Sequence, residues 1–404
     1  MKFRALTAAC LAAALAGCRQ SEPPPYVDYK PSGDPKVSSR GDAYDRLAKE
    51  ITPRAEKYLN KVTFSADVRK HLSETLAPQL SALLRAQQVN QGTINFEPTA
   101  PFAPRPNRAE WRLLSRTLVW KIEALGKEMR FDEAITWALC GTRFGFDMTA
   151  GNVADATLGL TIIDDVRRVM LPLMLRLESK QLIRLGAGLR IILESRPSFD
   201  EMMENETQNM MAAVEFVQTA YRTGDYKVAE DKLGADVGPA IVYLQEMKSA
   251  DAAKRPDYFR SFAAEAETMS GHYKAIANMP AVERKSAAKP ALAEERPWRR
   301  FSKQFFQSAA PVIEMRDKTI ARTKLLSMHA NILATIRITK KAPASLSTMP
   351  DSVRLDPFTG QSFVYSANGF IYRLYSVGID GQDDGGDTDE SYMAPDLRIE
   401  THEF

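Results

Sequence analysis

Apolar residues recur at three- and four-residue spacing from Asp42 to about Lys285, and this periodicity constrains the fold more than any other feature of the chain. Such spacing places apolar side chains on one face of a helix, which is then buried against its neighbours. Ser65 with Asp67 predicts a helix start, because a serine can cap the first backbone amides. The periodicity predicts helices over 43–62, 65–88, 109–129, 131–149, 153–177, 181–193 and 199–221.

The predicted fold class is mainly α: an irregular helical array of αα-hairpins, followed by a small α+β module with a short antiparallel sheet. Residues 126–134 and 224–229 resemble the helical turn of tetratricopeptide-like repeats, but the full repeat pattern and its fixed period are absent. The helical region also resembles that of uncharacterised secreted proteins from planctomycete-like bacteria. That resemblance implies no activity.

The N-terminus has the order of a lipoprotein leader. A basic Met1–Arg4 precedes an apolar run at 5–14, which is too short to span a bilayer as a mature helix. The run ends in Leu15-Ala-Gly-Cys18, which resembles the lipobox of bacterial lipoproteins. The resemblance implies cleavage before Cys18 and a diacylglycerol on its thiol. The alternative is an ordinary secretory leader that contains a cysteine. Arg19, where an aspartate would retain a lipoprotein in the inner membrane, favours the outer membrane in a host that has one.

Charge and cysteine content exclude several classes of protein. Lys+Arg 54 against Asp+Glu 51 gives the 404-residue chain a net charge of +3. This charge is too small to create an extended positive potential that would favour binding of nucleic acid.

The cysteines do not form a disulfide framework. Cys10 leaves with the leader and Cys18 would carry lipid, so Cys140 has no partner for a disulfide. Because Cys140 lies in an apolar helical run, we expect a buried and inert thiol.

The predicted domain organisation follows from these patterns and from two proline-containing segments. A chain of this length is expected to hold two folded units. The predicted units are a signal peptide (1–17), a proline-rich tether (18–40), a helical domain (41–285), a connector (286–310) and a C-terminal module (311–404).

The C-terminal module contains the clearest strand pattern in the chain. Phe363 to Tyr365 predicts a strand, 367–369 a hairpin turn, and 370–377 the returning strand. Alternating apolar residues should form one face that covers a long helix predicted at 316–341: Phe363, Tyr365, Phe370, Tyr372 and Leu374. An acidic, glycine-rich loop follows the second strand.

This module resembles the C-terminal part of the major pseudopilin of the type II secretion system. The resemblance is carried by the 316–341 helix, Pro343-Ala-Ser-Leu346, Asp356-Pro357, and the run from Leu374 through Gly386 to Asp396-Leu397. Pseudopilins, however, begin with a methylated membrane helix that polymerises, and no such segment adjoins this module. A filament subunit is therefore not expected.

The acidic loop is the candidate metal site. It crowds five aspartates and three glycines into 380–389, and calcium prefers six to eight hard oxygen ligands. The spacing is not that of an EF-hand. The pseudopilin resemblance implies four ligands: Val377 through its carbonyl, Asp380, Asp387 and Asp389. The alternative is an acidic turn that holds no metal.

Catalytic motifs do not stand out in the sequence, and the four histidines are scattered singly. His329 lies among apolar residues of a predicted helix, which favours a packed, hydrogen-bonded histidine. The sequence therefore predicts a non-enzymatic lipoprotein of the bacterial cell envelope, anchored by lipid, with its folded part in the periplasm or at the surface. Its helical scaffold would present a calcium-stabilised module to an envelope or secretion-system protein. The alternatives are a hydrolase or a ligand-binding lipoprotein with a site in the helical domain.

Overall fold

A computed structural model describes residues 39–89, 92–96, 107–223, 249, 255–284, 286–287, 309–386 and 396–398. It is mainly α-helical with a small antiparallel sheet near the C-terminus, as predicted. The elements are α1 (Arg40–Ala55), α2 (Ala66–Thr75), α3 (Ala77–Ala86), α4 (Arg108–Lys127), α5 (Phe131–Met148), α6 (Val153–Met174), α7 (Ser179–Glu194), α8 (Phe199–Thr223), α9 (Arg255–Ala277), α10 (Ala281–Arg284), α11 (Ala309–Thr339), α12 (Asp351–Arg354), β1 (Val364–Asn368), β2 (Ile371–Ser376) and β3 (Leu397–Arg398).

Helix boundaries agree with the sequence patterns except at three places. The single helix predicted over 65–88 is two helices, α2 and α3, which meet at Leu76 because Pro78 follows and lacks an amide hydrogen. The first helix ends at Ala55, short of the predicted 62. The last long helix begins at Ala309, upstream of the predicted start. The Ser65 cap is confirmed: its hydroxyl accepts from the Val68 amide at 3.4 Å.

The core is centred on α5, α6, α7 and α11, which pack against one another. Helix α11 has buried residues around most of its circumference, so it is a central helix rather than a surface one. Its Ser327 hydroxyl donates to the Gly186 carbonyl of α7 at 2.9 Å. One continuous cluster of buried apolar residues runs from Tyr44 in α1 to Leu374 in β2. The long helix of the predicted C-terminal module therefore shares a core with the predicted helical domain.

Two glycines lie where α5 and α6 cross in this core. The α-carbon of Gly159 in α6 faces the backbone carbonyl of Gly145 in α5, and a β-carbon at Gly159 would clash with that carbonyl. The absence of side chains here lets the α5 and α6 backbones approach closely, and that approach buries the flanking Ile163 and Phe144.

The sheet has the strand order β1-β2-β3 with both pairings antiparallel. Asn368 pairs with Ile371, so Gly369 and Phe370 form a two-residue turn, and Gly369 adopts a φ of +66°. The turn was predicted at 367–369, so its position is off by about one residue. As a consequence Phe370 is 57% exposed and does not join the face that covers the helix, contrary to the predicted alternation.

The rest of that face packs as predicted. Phe363, Tyr372 and Leu374 are buried, and β2 contacts α11. The Tyr372 hydroxyl is hydrogen-bonded to Nδ1 of His329, and burial lowers the pKa of His329 to about 4. His329 is thus a packed histidine, as predicted. A small antiparallel sheet against a long helix is confirmed.

The one cysteine in the described part of the chain, Cys140, also lies in the core. Cys140 is fully buried, and burial raises the pKa of its thiol well above the ordinary range, so the expected inert thiol is confirmed. Within the described part of the chain, no helix is long and apolar enough to cross a membrane.

Candidate functional site

The candidate site is the loop that leaves β2, together with the short β3 strand that returns to it. Val377 and Asp380 of the predicted ligand set are both half-buried at the start of this loop. The other two predicted ligands, Asp387 and Asp389, lie outside the described residues, as does the predicted lipidation site Cys18. The structure therefore locates half of the predicted metal ligands.

Asp383 shapes the described half of the loop. Its Oδ1 accepts from the Tyr375 hydroxyl at 2.8 Å and from the Gly385 amide at 2.9 Å. Burial and the hydrogen bond to Asp383 raise the pKa of Tyr375 to about 12. Asp380 makes a local turn, since its Oδ1 accepts from the Gln382 amide at 3.1 Å. The loop is thus folded back onto β2 by its own carboxylates.

Asp396 is the buried carboxylate beneath this loop, immediately before β3. It is 1% exposed, and its Oδ2 accepts from the amides of Asp384 at 3.1 Å and Gly386 at 2.8 Å. Its Oδ1 is buried without a hydrogen-bond partner among the described residues. Burial, together with the charges of Asp384 and Asp383, raises the pKa of this carboxyl.

An unpartnered buried carboxylate oxygen is costly, and a bound cation would supply the missing interaction. The donor chemistry of the loop therefore fits a hard divalent cation. Among the described residues, no group of three or more His, Cys, Asp or Glu side chains is arranged to hold a metal ion.

The loop contacts the helical part of the molecule at α10, which is itself hydrogen-bonded to the turn at 356–358. Gly381, with a φ of +74°, lies so close to Val282 of α10 that a β-carbon would stand 2.5 Å from the valine Cγ1. The Val282 amide also donates to the Phe358 carbonyl at 3.1 Å. A change in the conformation of the loop would therefore alter the packing at the end of α9 and at α10, as well as in the sheet.

The Asp356-Pro357 turn supports the start of the acidic loop. Asp356 is 2% exposed, and its Oδ1 accepts from the Phe358 amide at 2.9 Å. Burial raises the pKa of Asp356, while hydrogen bonds from Phe358, Ser376 and Val377 oppose that rise. Because Ser376 and Val377 lead directly into the acidic loop, this turn fixes where the loop begins.

An exposed apolar patch lies at the other end of the sheet. The Ala342 amide donates to the Gly369 carbonyl at 2.7 Å, which places the hairpin tip beside the C-terminal end of α11. Ile338, Phe370 and Ile371 are 58%, 57% and 65% exposed there. We call these three residues the hairpin-tip patch. Its members lie 33 residues apart in sequence, so spacing alone does not reveal it.

Adjacent residues on a helix point in different directions, so the sequence alone places both Asp164 and Asp165 at the solvated surface. The Asp165 side chain is 40% exposed, as expected, but the expectation is wrong for Asp164. Asp164 instead ties α6 to α11, because its Oδ1 contacts Arg167 at 3.0 Å within α6 and Arg322 of α11 at 3.4 Å. Its side chain is 19% exposed. The approach of a second helix, which local spacing does not show, buries it.

Comparison with protein-family models, with curated proteins and with solved structures found no match to this chain. The pseudopilin resemblance therefore rests on the residues quoted above alone.

Proposed function

We propose that this protein is a non-enzymatic lipoprotein of the bacterial cell envelope whose helical body presents a calcium-stabilised C-terminal module to a protein partner. Lipid on Cys18 would hold the chain at the membrane, with residues 18–40 as the tether. The observation that carries the proposal is the buried Asp396 carboxylate, whose Oδ1 has no hydrogen-bond partner among the described residues and lies under an acidic loop.

Calcium would be held by the carbonyl of Val377 and the carboxylates of Asp380, Asp387 and Asp389, and the unpartnered Oδ1 of Asp396 would complete the set of ligands. The ion would offset the mutual repulsion of these carboxylates and tie the loop to the end of β2. Since the loop contacts α10, ordering it would also fix the junction between the module and the helices.

The hairpin-tip patch supports the role in protein interaction. Exposed apolar side chains that cluster on a small surface are typical of protein contact sites. The adjacent β1 strand is at the edge of the sheet, where an extended segment of a partner could pair with it. The partner would be an envelope or secretion-system protein.

Calcium is expected to stabilise the mature protein, and magnesium much less. A ligand that binds only the folded state stabilises it according to its concentration relative to Kd. For a Kd of roughly 10⁻⁴ to 10⁻³ M, 1 mM calcium should add roughly 0.4–1.4 kcal/mol to the free energy of unfolding. The measurement is urea unfolding in EDTA, in calcium and in magnesium. Asp380→Asn should remove the calcium increment, and Asp384→Asn, which removes the same charge from the same loop, should keep it. Equal increments in both variants would contradict the proposed ligand set.

Cys18→Ala is expected to abolish the lipid anchor. The thiol of residue 18 is the group that would carry diacylglycerol, so the variant should stay uncleaved by the lipoprotein peptidase and should lack the added mass of the lipid. Intact-mass analysis of the wild-type protein should show a lipidated N-terminus at residue 18. An unmodified N-terminus elsewhere would show that the leader is an ordinary secretory one.

A photo-crosslinking amino acid at position 371 is expected to capture one partner protein in intact cells. The control is the same amino acid at Met129, which is also apolar and 68% exposed but lies at the α4–α5 turn. A discrete adduct at 371 that is absent at 129 supports the contact surface. The same adducts at both positions, or none at 371, would contradict it.

A further inference from the structure

A second candidate site lies in a cleft that the acidic loop does not line. The cleft has a volume of about 530 Å³, which is within the range of small-molecule sites. Its walls come from the start of α8, the end of α9, the middle of α11 and the turn at 355–360. It lies where the helices meet the C-terminal module.

Basic side chains outnumber acidic ones among the described residues that line this cleft. Four cations face two carboxylates, a net charge of 4 − 2 = +2: Arg196, Arg284, Arg316 and Lys324 against Asp317 and Asp356. A concave surface with low-dielectric walls concentrates such a field. The lining therefore favours a negatively charged ligand.

Two of the four cations form ion pairs and hydrogen bonds with other groups of the protein. Arg284 and Arg316 hold the buried Asp317 from both sides, at 2.5 Å and 2.8 Å. Both also donate to carbonyls at the end of α9: Arg284 Nε to Ile276 at 2.6 Å, and Arg316 Nη2 to Ala277 at 2.6 Å. These bonds cap the helix and fix the floor of the cleft.

The other two cations, Lys324 and Arg196, have only the Asp356 carboxylate to balance them, so they leave a further positive charge. Lys324 donates to the Leu355 carbonyl at 2.7 Å, and burial, with repulsion from Arg196, lowers its pKa to about 8. Arg196 donates through one guanidinium nitrogen to the Leu193 carbonyl. Burial and repulsion from Arg316 lower the pKa of Arg196. Repulsion among these cations would be relieved by an anion between them.

The cleft also has an apolar wall. Phe199, Ile320 and Met279 line it, and the Arg316 guanidinium stacks over the Phe199 ring at 4.8 Å from its centroid. Met279 is 37% exposed. An inorganic ion would leave this wall unused, whereas an anion attached to an apolar body would cover it.

We propose that this cleft binds a small organic anion, a carboxylate or a phosphate ester on an apolar or aromatic body, and that Arg196 contacts its charged group. Arg284 and Arg316 act as positioning residues that hold the walls. A ligand of this chemistry is distinct from the calcium and from the protein partner proposed above.

The test is isothermal titration of the mature protein in EDTA with phenyl phosphate and with benzoate, which separate the two anion types, and with benzyl alcohol as the neutral analogue. At least one anion should bind with a Kd on the order of 1 mM, as a ligand of about ten heavy atoms allows. Benzyl alcohol should bind at least about tenfold more weakly, because it cannot make the charge-assisted bond.

Arg196→Gln should weaken binding of the preferred anion by about tenfold or more. Arg190→Gln is the matched control: it removes the same charge one and a half turns earlier, where Arg190 pairs with Glu194 at 3.3 Å, and should bind normally. The proposal is overturned if neither anion binds wild type, if benzyl alcohol binds as well as the anions, or if both variants bind alike.

Discussion

Replacing Arg40 with methionine is expected to lower the free energy of unfolding by roughly 3–5 kcal/mol. Arg40 forms a two-pronged ion pair with Asp147, at 2.9 Å and 3.1 Å, and the two residues are 7% and 2% exposed. The Tyr44 hydroxyl donates to the same carboxylate at 2.6 Å. Removing Arg40 leaves a buried carboxylate with a single neutral donor. In the wild type, burial raises the pKa of Asp147 although the charge of Arg40 opposes that rise. We therefore expect Asp147 to be protonated in the variant.

Urea unfolding at neutral pH measures this effect. Arg130→Met is the control, because Arg130 pairs with Glu133 at a site where both side chains are about half exposed, and it should change stability very little. Adding Asp147→Asn to Arg40→Met should recover part of the loss, because asparagine is neutral at every pH and avoids the cost of protonating a buried carboxyl at neutral pH. An Arg40→Met loss no larger than that of the control would show that the pair does not hold α1 to α5.

Glu206→Gln is expected to stabilise the protein above pH 7 and to leave it unchanged near pH 4. Glu206 is 6% exposed and accepts from the Val153 amide at 3.0 Å. Burial raises its pKa from 4.5 to about 7, with a further contribution from Asp155. Between these two values the folded state holds a proton that the unfolded state has lost. Stability therefore falls as pH rises through this window, by roughly 3 kcal/mol in total.

Glutamine keeps an acceptor for the Val153 amide but cannot ionise, so the variant should lack this fall. Unfolding free energies at several pH values between 4 and 8 test the prediction. Glu204→Gln is the matched control on the same helix, because Glu204 is largely exposed and pairs with Lys274 at 2.9 Å. If wild type and Glu206→Gln have parallel pH profiles, folding does not raise the pKa of Glu206 and the prediction is wrong.

Local sequence patterns predict most of the helices because burial of one face imposes a 3.6-residue period on the chain. The α5 and α7 boundaries fall within two residues of those predicted, and the Ser65 cap is correct. The break at Leu76 was missed although Pro78 marks it. The hairpin was found, but its turn is set by the pairing of Asn368 with Ile371, which spacing alone does not fix.

The candidate sites depend on contacts between distant segments, and this explains why the sequence reveals only part of them. Asp396 comes under the acidic loop through β3, a two-residue strand too short to show a pattern. Arg40 and Asp147 are 107 residues apart. Arg196 follows α7 and faces Lys324 only because α7 packs along α11. In each case tertiary packing brings the groups together.

The calcium-stabilised module is tested most directly by counting bound calcium. Equilibrium dialysis of the mature protein, freed of metal with EDTA and returned to millimolar calcium with excess magnesium, gives the number of ions per chain. The account predicts one calcium per chain for wild type and for Asp384→Asn, and none for Asp380→Asn. No bound calcium in the wild type, or one calcium retained by Asp380→Asn, would contradict it.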